Sequence, residues 1–234
     1  MNRGVIGCLL VMVTAAITGC ASFSPRMQKE KHIPQTPGAK GHGRIFSLGQ
    51  PWNDEVEAGF RPADVRLSWT AEGLFVHAGL EDGEVGSRST SDNQKMWELG
   101  DVFEMFLMVE GRRDYVELHV TPGNQRLHLQ LPGVGGEVRP GSQALTFEQM
   151  LVEPVGFSSS TRPTKRGWSV SAKVPATVLG LKTLEPGLRL RVAFARYDAS
   201  PGREPVLSTT ASHPVVSFHR PEEWMAVTLG QPRE

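Results

Sequence analysis

Three short alternating segments carry the side chains best suited to gripping a polar ligand. Glu104 and Phe106 share one face of the first, Tyr115, Glu117 and His119 one face of the second, and Arg126, His128 and Gln130 one face of the third. Successive side chains on a strand point to opposite faces. The brief connections at Gly111-Arg112-Arg113 and Pro122-Gly123-Asn124 favour hairpins, so the three faces are expected side by side. The surface would then mix rings with carboxylate, imidazole, guanidinium and amide groups. A sugar uses such a mixture: its axial C–H faces pack on rings and its hydroxyls need both donors and acceptors. A solvated sheet face is equally polar, so alternation alone leaves both readings open. Trp97 follows the polar loop Ser87 to Gln94 and precedes the first segment. A tryptophan there serves as a core plug or as a ligand platform.

Hydrolytic chemistry is disfavoured. A carboxylate pair for glycoside cleavage must flank one bond at about 5 to 10 Å, whereas Asp101 and Glu104 are three apart on a strand and point to opposite faces. Asp101 therefore reads as a loop-organising or capping carboxylate and Glu104 as a hydroxyl acceptor. His119 and His128 read as hydrogen-bonded imidazoles rather than metal ligands. Glu81, Asp82 and Glu84 could hold calcium through oxygen ligands, or form a solvated acidic turn; no other cofactor is expected. Arg196 near Asp198 reads as an ion pair or a hydroxyl donor. No phosphate loop, G-x-S-x-G elbow, H-E-x-x-H helix or C-x-x-C pair is found.

The elements that must position these groups are strands. Val65, Leu67 and Trp69 alternate with Arg66 and Ser68; Leu74, Val76, Ala78 and Leu80 follow the turn Glu72-Gly73. Phe103, Met105, Leu107 and Val109 share a face, as do Val116, Leu118 and Val120, and Leu127, Leu129 and Leu131. Trp168, Val170, Ala172 and Val174, then Leu188, Leu190, Val192 and Phe194, keep the same rule. Many short alternating strands with 25 Gly and 17 Pro for turns predict an all-β, antiparallel β-sandwich. Only Pro175 to Leu181 reads as a short helical turn. Trp52, Trp69 and Trp168 are assigned to the core.

Composition narrows the setting. With 25 basic and 25 acidic side chains the formal charge is zero, which gives no electrostatic hold on nucleic acid. A basic start at Arg3, an apolar run from Val5 to Ile17 and the ending Thr18-Gly19-Cys20 have the form of a secretory signal. Small residues ending in cysteine resemble a bacterial lipoprotein signal, which implies cleavage before Cys20 and acylation there; the alternative is an ordinary signal that contains a cysteine. Stable anchoring needs more than one chain. No aspartate follows Cys20, and by that sorting rule the outer membrane is favoured. Cys8 leaves with the signal, so the mature domain has no thiol for a disulfide. The expected layout is a signal at 1–19, a lipidated tether rich in Pro, Gly and Ser at 20–43, and one domain at 44–234.

Met96-Trp97-Glu98-Leu99-Gly100-Asp101-Val102-Phe103-Glu104-Met105-Phe106 resembles the tryptophan, acidic, "D-x-x-E-x-[FY]" strand opening of carbohydrate-binding module family 9. Val65 to Trp69 with Gly73 to Val76 resembles that family's early hairpin, Tyr115 to Val120 with Pro122-Gly123 its next strand, and Gly167 to Pro175 with Leu179-Gly180 its "G-W-x-x-E-x-x-I-P" segment. Arg196-Tyr197-Asp198 and Phe218 to Glu222 resemble its closing strands. The ordered match covers roughly residues 44 to 230. It implies a jelly-roll sandwich that binds sugars between two rings without catalysis, with possible association with glycoside hydrolysis in trans. Trp97 matches the first ring and the second falls at Phe218; Glu104 matches an acidic hydroxyl acceptor, and His119 sits near a basic donor, with Arg126 as a further polar contact. The partners so implied are an oligo- or polysaccharide and a membrane. Two other classes stay open: a haem domain, for which His119, His128, Met96 and Met108 supply ligand atoms, and an envelope protein that uses the same face against a protein partner.

Overall fold

The computed structural model describes residues 31–35, 43–133 and 145–232. The signal segment and Cys20 lie outside them. The strands are β1 Lys31–Gln35, β2 Arg44–Ser47, β3 Ala63–Thr70, β4 Gly73–Glu81, β5 Val102–Val109, β6 Tyr115–Val120, β7 Arg126–Leu131, β8 Ser158–Thr164, β9 Gly167–Pro175, β10 Arg189–Asp198, β11 Val206–Thr209 and β12 Met225–Pro232. Among the described residues helix is confined to α1, Phe147–Met150, and 3-10 turns at Met96–Glu98, Ala176–Leu179 and Pro221–Glu223.

The strands run in one path, β7-β6-β5-β10-β12-β1-β3-β4-β9-β8, with β11 added beside β10 and β2 beside β3. The alternating residues dictate how this sheet closes. Phe103, Met105, Leu107, Leu118 and Phe194 from one arm join Leu67, Trp69, Val76, Trp168 and Val170 from the other in a single buried cluster. Each arm has one apolar face, and the sheet curls until those faces meet as a β-sandwich close to a barrel. Trp69 and Trp168 are core residues, as expected.

Two sequence expectations are corrected here. The sheet is not wholly antiparallel, because β1 runs parallel to both β12 and β3. Residues 31–35 are also not tether. Ile33 is fully buried, and its carbonyl accepts a hydrogen bond from Trp69 Nε1 at 3.0 Å. One apolar residue among Lys31, His32, Pro34 and Gln35 leaves no alternation to read, yet this strand joins the two arms.

A second layer covers the outer face of the β5-β6 arm. Phe106, Tyr115, Ala193, Ala195, Ala211, Phe218 and Trp224 form one cluster, with Trp52 and Tyr197 packed on it. Met96, Val102, Leu127 and Leu129 form another, with Trp97, Phe147 and Leu151 against it.

Candidate functional site

Register decides which polar groups converge. Glu104 lies directly opposite His119, and Phe106 opposite Glu117. Directly opposed residues share a face at Cα separations of about 4.5–5.5 Å. His119 is in turn opposite Leu127 and Glu117 opposite Leu129. The third strand therefore presents its leucines to the site. Arg126 and His128 are opposite Val120 and Leu118, on the other side of the sheet. The expected shared face is correct for β5 and β6 and inverted for β7. Leu127 and Leu129 are buried against the loop-covered cluster, not the central core.

The structure thus brings together Glu104, His119 and Trp97, adds Glu117, and leaves Arg126 out. Arg126 instead pins the loop that carries Trp97: Nη2 donates to Asp92 Oδ2 and its backbone N–H to Asp92 Oδ1, each at 2.7 Å. The same loop is fixed by Asp101, which accepts from the N–H groups of Gly86 at 2.6 Å and Ala199 at 2.8 Å. That is the loop-organising role expected of this carboxylate. Gly100 allows the closure: its φ is +142°, and a Cβ there would meet the Gly86 carbonyl oxygen at 2.5 Å.

Trp97, half-buried, sets its ring edge-on to His119 at 5.6 Å and to Phe147 at 5.9 Å between centroids. Phe218 lies in the loop before the 3-10 turn Pro221–Glu223, not on a strand, and is only 6% exposed. Trp52, Phe106, Tyr197 and His213 surround it at 5.9–6.2 Å. In this arrangement Phe218 is a packing ring. The rings around that cluster that reach water are Trp52, half-buried rather than core, Tyr197, also half-buried, and the exposed His219. His219 Nδ1 is 2.9 Å from the Tyr115 hydroxyl.

Beneath Trp97, His119 Nε2 is 2.7 Å from Glu117 Oε1 and 3.3 Å from Glu104 Oε1, and all three side chains are buried. Burial lifts the Glu104 carboxyl to about 8; the His119 charge draws it down and the Glu117 charge pushes it up by smaller amounts. Burial also opposes charge on Glu117 and His119, but there the partners prevail. His219 and the His119 hydrogen bond hold Glu117 below the usual carboxylate range. Glu104 and Glu117 hold His119 above the ordinary imidazole value. At neutral pH Glu104 therefore keeps its proton, beside a His119–Glu117 pair in which each partner favours the charged form of the other. Burial, and secondarily the Glu117 charge, pushes the Tyr115 phenol upward.

A stability signature follows. Between the ordinary value of 4.5 and about 8, the native state keeps a proton on Glu104 that the unfolded chain releases. Stability from this group is complete below that window and is lost as pH rises through it. His119, raised as well, loses its contribution in the same direction. Glu104→Gln should therefore flatten the decline in urea midpoint between pH 5 and pH 8; an unchanged slope would remove Glu104 as its source.

The other candidates are placed as follows. Asp82 and Asp198 each take an Arg196 Nη2 contact at 3.0 Å, and Glu81 pairs with Arg166 at 2.8 Å. The acidic turn considered for calcium thus has two of its carboxylates engaged by arginines, and Arg196 is a buried ion-pair residue. His128 Nδ1 accepts the Gly156 N–H at 3.1 Å. Met96 and Met108 belong to separate buried clusters. The sequence placed Glu117 on the polar face by its parity with His119 without naming it as a ligand contact; His219 lies in an aperiodic loop that gives no such mark.

Neither a family model nor a curated protein matches this sequence. Solved structures do match the fold. A candidate carbohydrate-binding protein from Bacteroides uniformis aligns at a TM-score of 0.59 and 16% identity, over 80% of this chain and 86% of its own. A carbohydrate-binding module of family 9 from Caldicellulosiruptor kristjanssonii, in complex with cellotriose, aligns at 0.55 and 16% identity over 88% of this chain and 95% of its own. The same module in complex with glucose aligns at 0.56 and 17%, over 88% and 97%. The domain has the β-sandwich fold of carbohydrate-binding module family 9.

Proposed function

We propose that this domain binds saccharides without catalysis at the outer face of β5 and β6, and that acylation of Cys20 displays it on the outer membrane. What supports the reading is the coincidence of two things: a fold shared with modules solved with glucose and cellotriose, and a half-buried Trp97 standing over a buried carboxylate–imidazole group. Trp97 supplies a ring face, and the hydroxyl partners are His119, Glu117 and His219. Glu104, protonated at neutral pH, acts as a hydroxyl donor as well as an acceptor. Trp52, beside the packed Phe218, and His219, beside Phe106, are further rings that reach solvent near this face. A single shallow site of this kind binds weakly, because orientation and ordering costs offset stacking. Surface display would compensate through effective concentration.

Removing the ring by Trp97→Ala should weaken saccharide affinity at least about tenfold, or roughly 1.4 kcal/mol, without unfolding the domain. Titration calorimetry against the best ligand from a glycan array measures it; unaltered affinity in a folded variant would take Trp97 out of the site. For the haem alternative, His119 and His128 stand on opposite faces of the sheet and do not form an axial pair about one haem.

A further inference from the structure

The trio under Trp97 holds more acid than its single shared donor can satisfy. The hydrogen on His119 Nε2 is directed to Glu117 at 2.7 Å. Glu104, 2% exposed, points its Oε1 at the same nitrogen from 3.3 Å and makes no side-chain hydrogen bond among the described residues. His119 is fully buried, and its Nδ1 likewise has no partner among them. A buried carboxyl group that lacks a hydrogen-bond partner is costly, and this one is aimed into a cluster whose three ligand atoms lie within 4.8 Å of one another.

From this geometry we propose that Glu104, Glu117 and His119 form a binding site for a divalent first-row transition ion, of which zinc is the representative. Tetrahedral zinc takes nitrogen and carboxylate oxygen at about 2.0–2.2 Å, which puts ligand atoms about 3.3–3.6 Å apart. The His119–Glu104 contact of 3.3 Å already has that spacing, and the His119–Glu117 contact of 2.7 Å is shorter than it. The donors come from adjacent strands, Glu104 and His119 directly across the ladder and Glu117 two residues before His119. Little movement is needed to admit an ion at their centre. Two carboxylates and a neutral imidazole would leave a divalent ion uncharged overall. One imidazole nitrogen with carboxylate oxygens suits zinc or manganese better than a thiol-seeking ion. The ion replaces the protons that the trio otherwise holds, so uptake releases protons to the buffer. His219 Nε2, 3.9 Å from Glu117 Oε2 and half exposed, stands on the solvent side of the trio.

The test is a zinc titration of the chelator-treated domain by calorimetry with no saccharide present, so the result is independent of sugar binding. One ion per chain is expected. Glu104→Gln and His119→Gln should each weaken it by more than the roughly 10- to 100-fold that loss of an outer partner costs, while His77→Gln, at an exposed histidine, leaves it unchanged. Should either variant fail to fold, the ring resonances of His119 in the native domain report instead, and zinc must perturb them. Failure of the native domain to take up zinc, undiminished uptake in folded Glu104→Gln and His119→Gln, or His119 resonances that ignore the ion would each overturn the proposal.

Discussion

Replacing Arg196 with alanine is expected to destabilise the domain by about 3–5 kcal/mol. The guanidinium is 1% exposed and contacts Asp82 and Asp198 at 3.0 Å each. Asp101 is fully buried beside them, with one carboxylate oxygen from each of the three lying within 4.8 Å of the others. Burial pushes the Asp101 carboxyl to about 7; its bonds from Gly86 and Ala199 pull down and the neighbouring aspartates push up. Removing the cation leaves buried carboxylates facing one another with only Arg203 on the outer side of Asp198. The network joins the end of β4, the opening of β5 and the end of β10, so its failure also releases the loop that aims Trp97. Urea unfolding of the variant at pH 7 and pH 5 measures the effect. The loss should shrink at the lower pH, where Asp101 holds a proton and repels its neighbours less, and a loss under about 1 kcal/mol at pH 7 would show that the arginine is dispensable.

A chain begun at residue 44 should lose most of its stability compared with one begun at residue 31. Ile33 is a fully buried core residue, and truncating a buried Ile alone costs about 2–5 kcal/mol. Without β1, Trp69 Nε1 loses its buried acceptor, which adds about 1–3 kcal/mol. The edge of β12 that β1 covers is also left open to pairing with other chains, whereas β3 loses only its pairing at Trp69 and keeps β2 beside it. Against a typical total of about 5–15 kcal/mol, the shorter domain is expected to unfold at much lower urea or to aggregate. Equal midpoints for the two chains would mean that β1 contributes little.

The seven strands β3 to β7, β9 and β10 were legible because their apolar residues alternate, six of them against the central core and β7 against the loop-covered cluster. Others escaped for physical reasons. β8, Ser158–Thr164, is a polar edge strand whose neighbour carries the apolar face. β1 carries a single buried apolar residue and depends on partners far away in sequence. The site was half legible. Parity placed Glu104 beside His119 because both strands keep the central core on one side. It failed for Arg126 because Leu127 and Leu129 bury against loops, and alternation records burial without saying under what. Phe218 was read as a strand ring since its neighbours resemble a closing strand; in the fold it is packed by residues from four separate segments.

The saccharide reading is tested most directly by nuclear magnetic resonance of the domain, residues 31–232, during a cellotriose titration. The indole N–H of Trp97 and the ring of His119 should shift together and saturate, while the signals of the core indoles of Trp69 and Trp168 stay in place. Should cellotriose and a broader set of glycans leave Trp97 and His119 unmoved, or shift only residues on the far arm of the sheet, the binding face assigned here would be wrong.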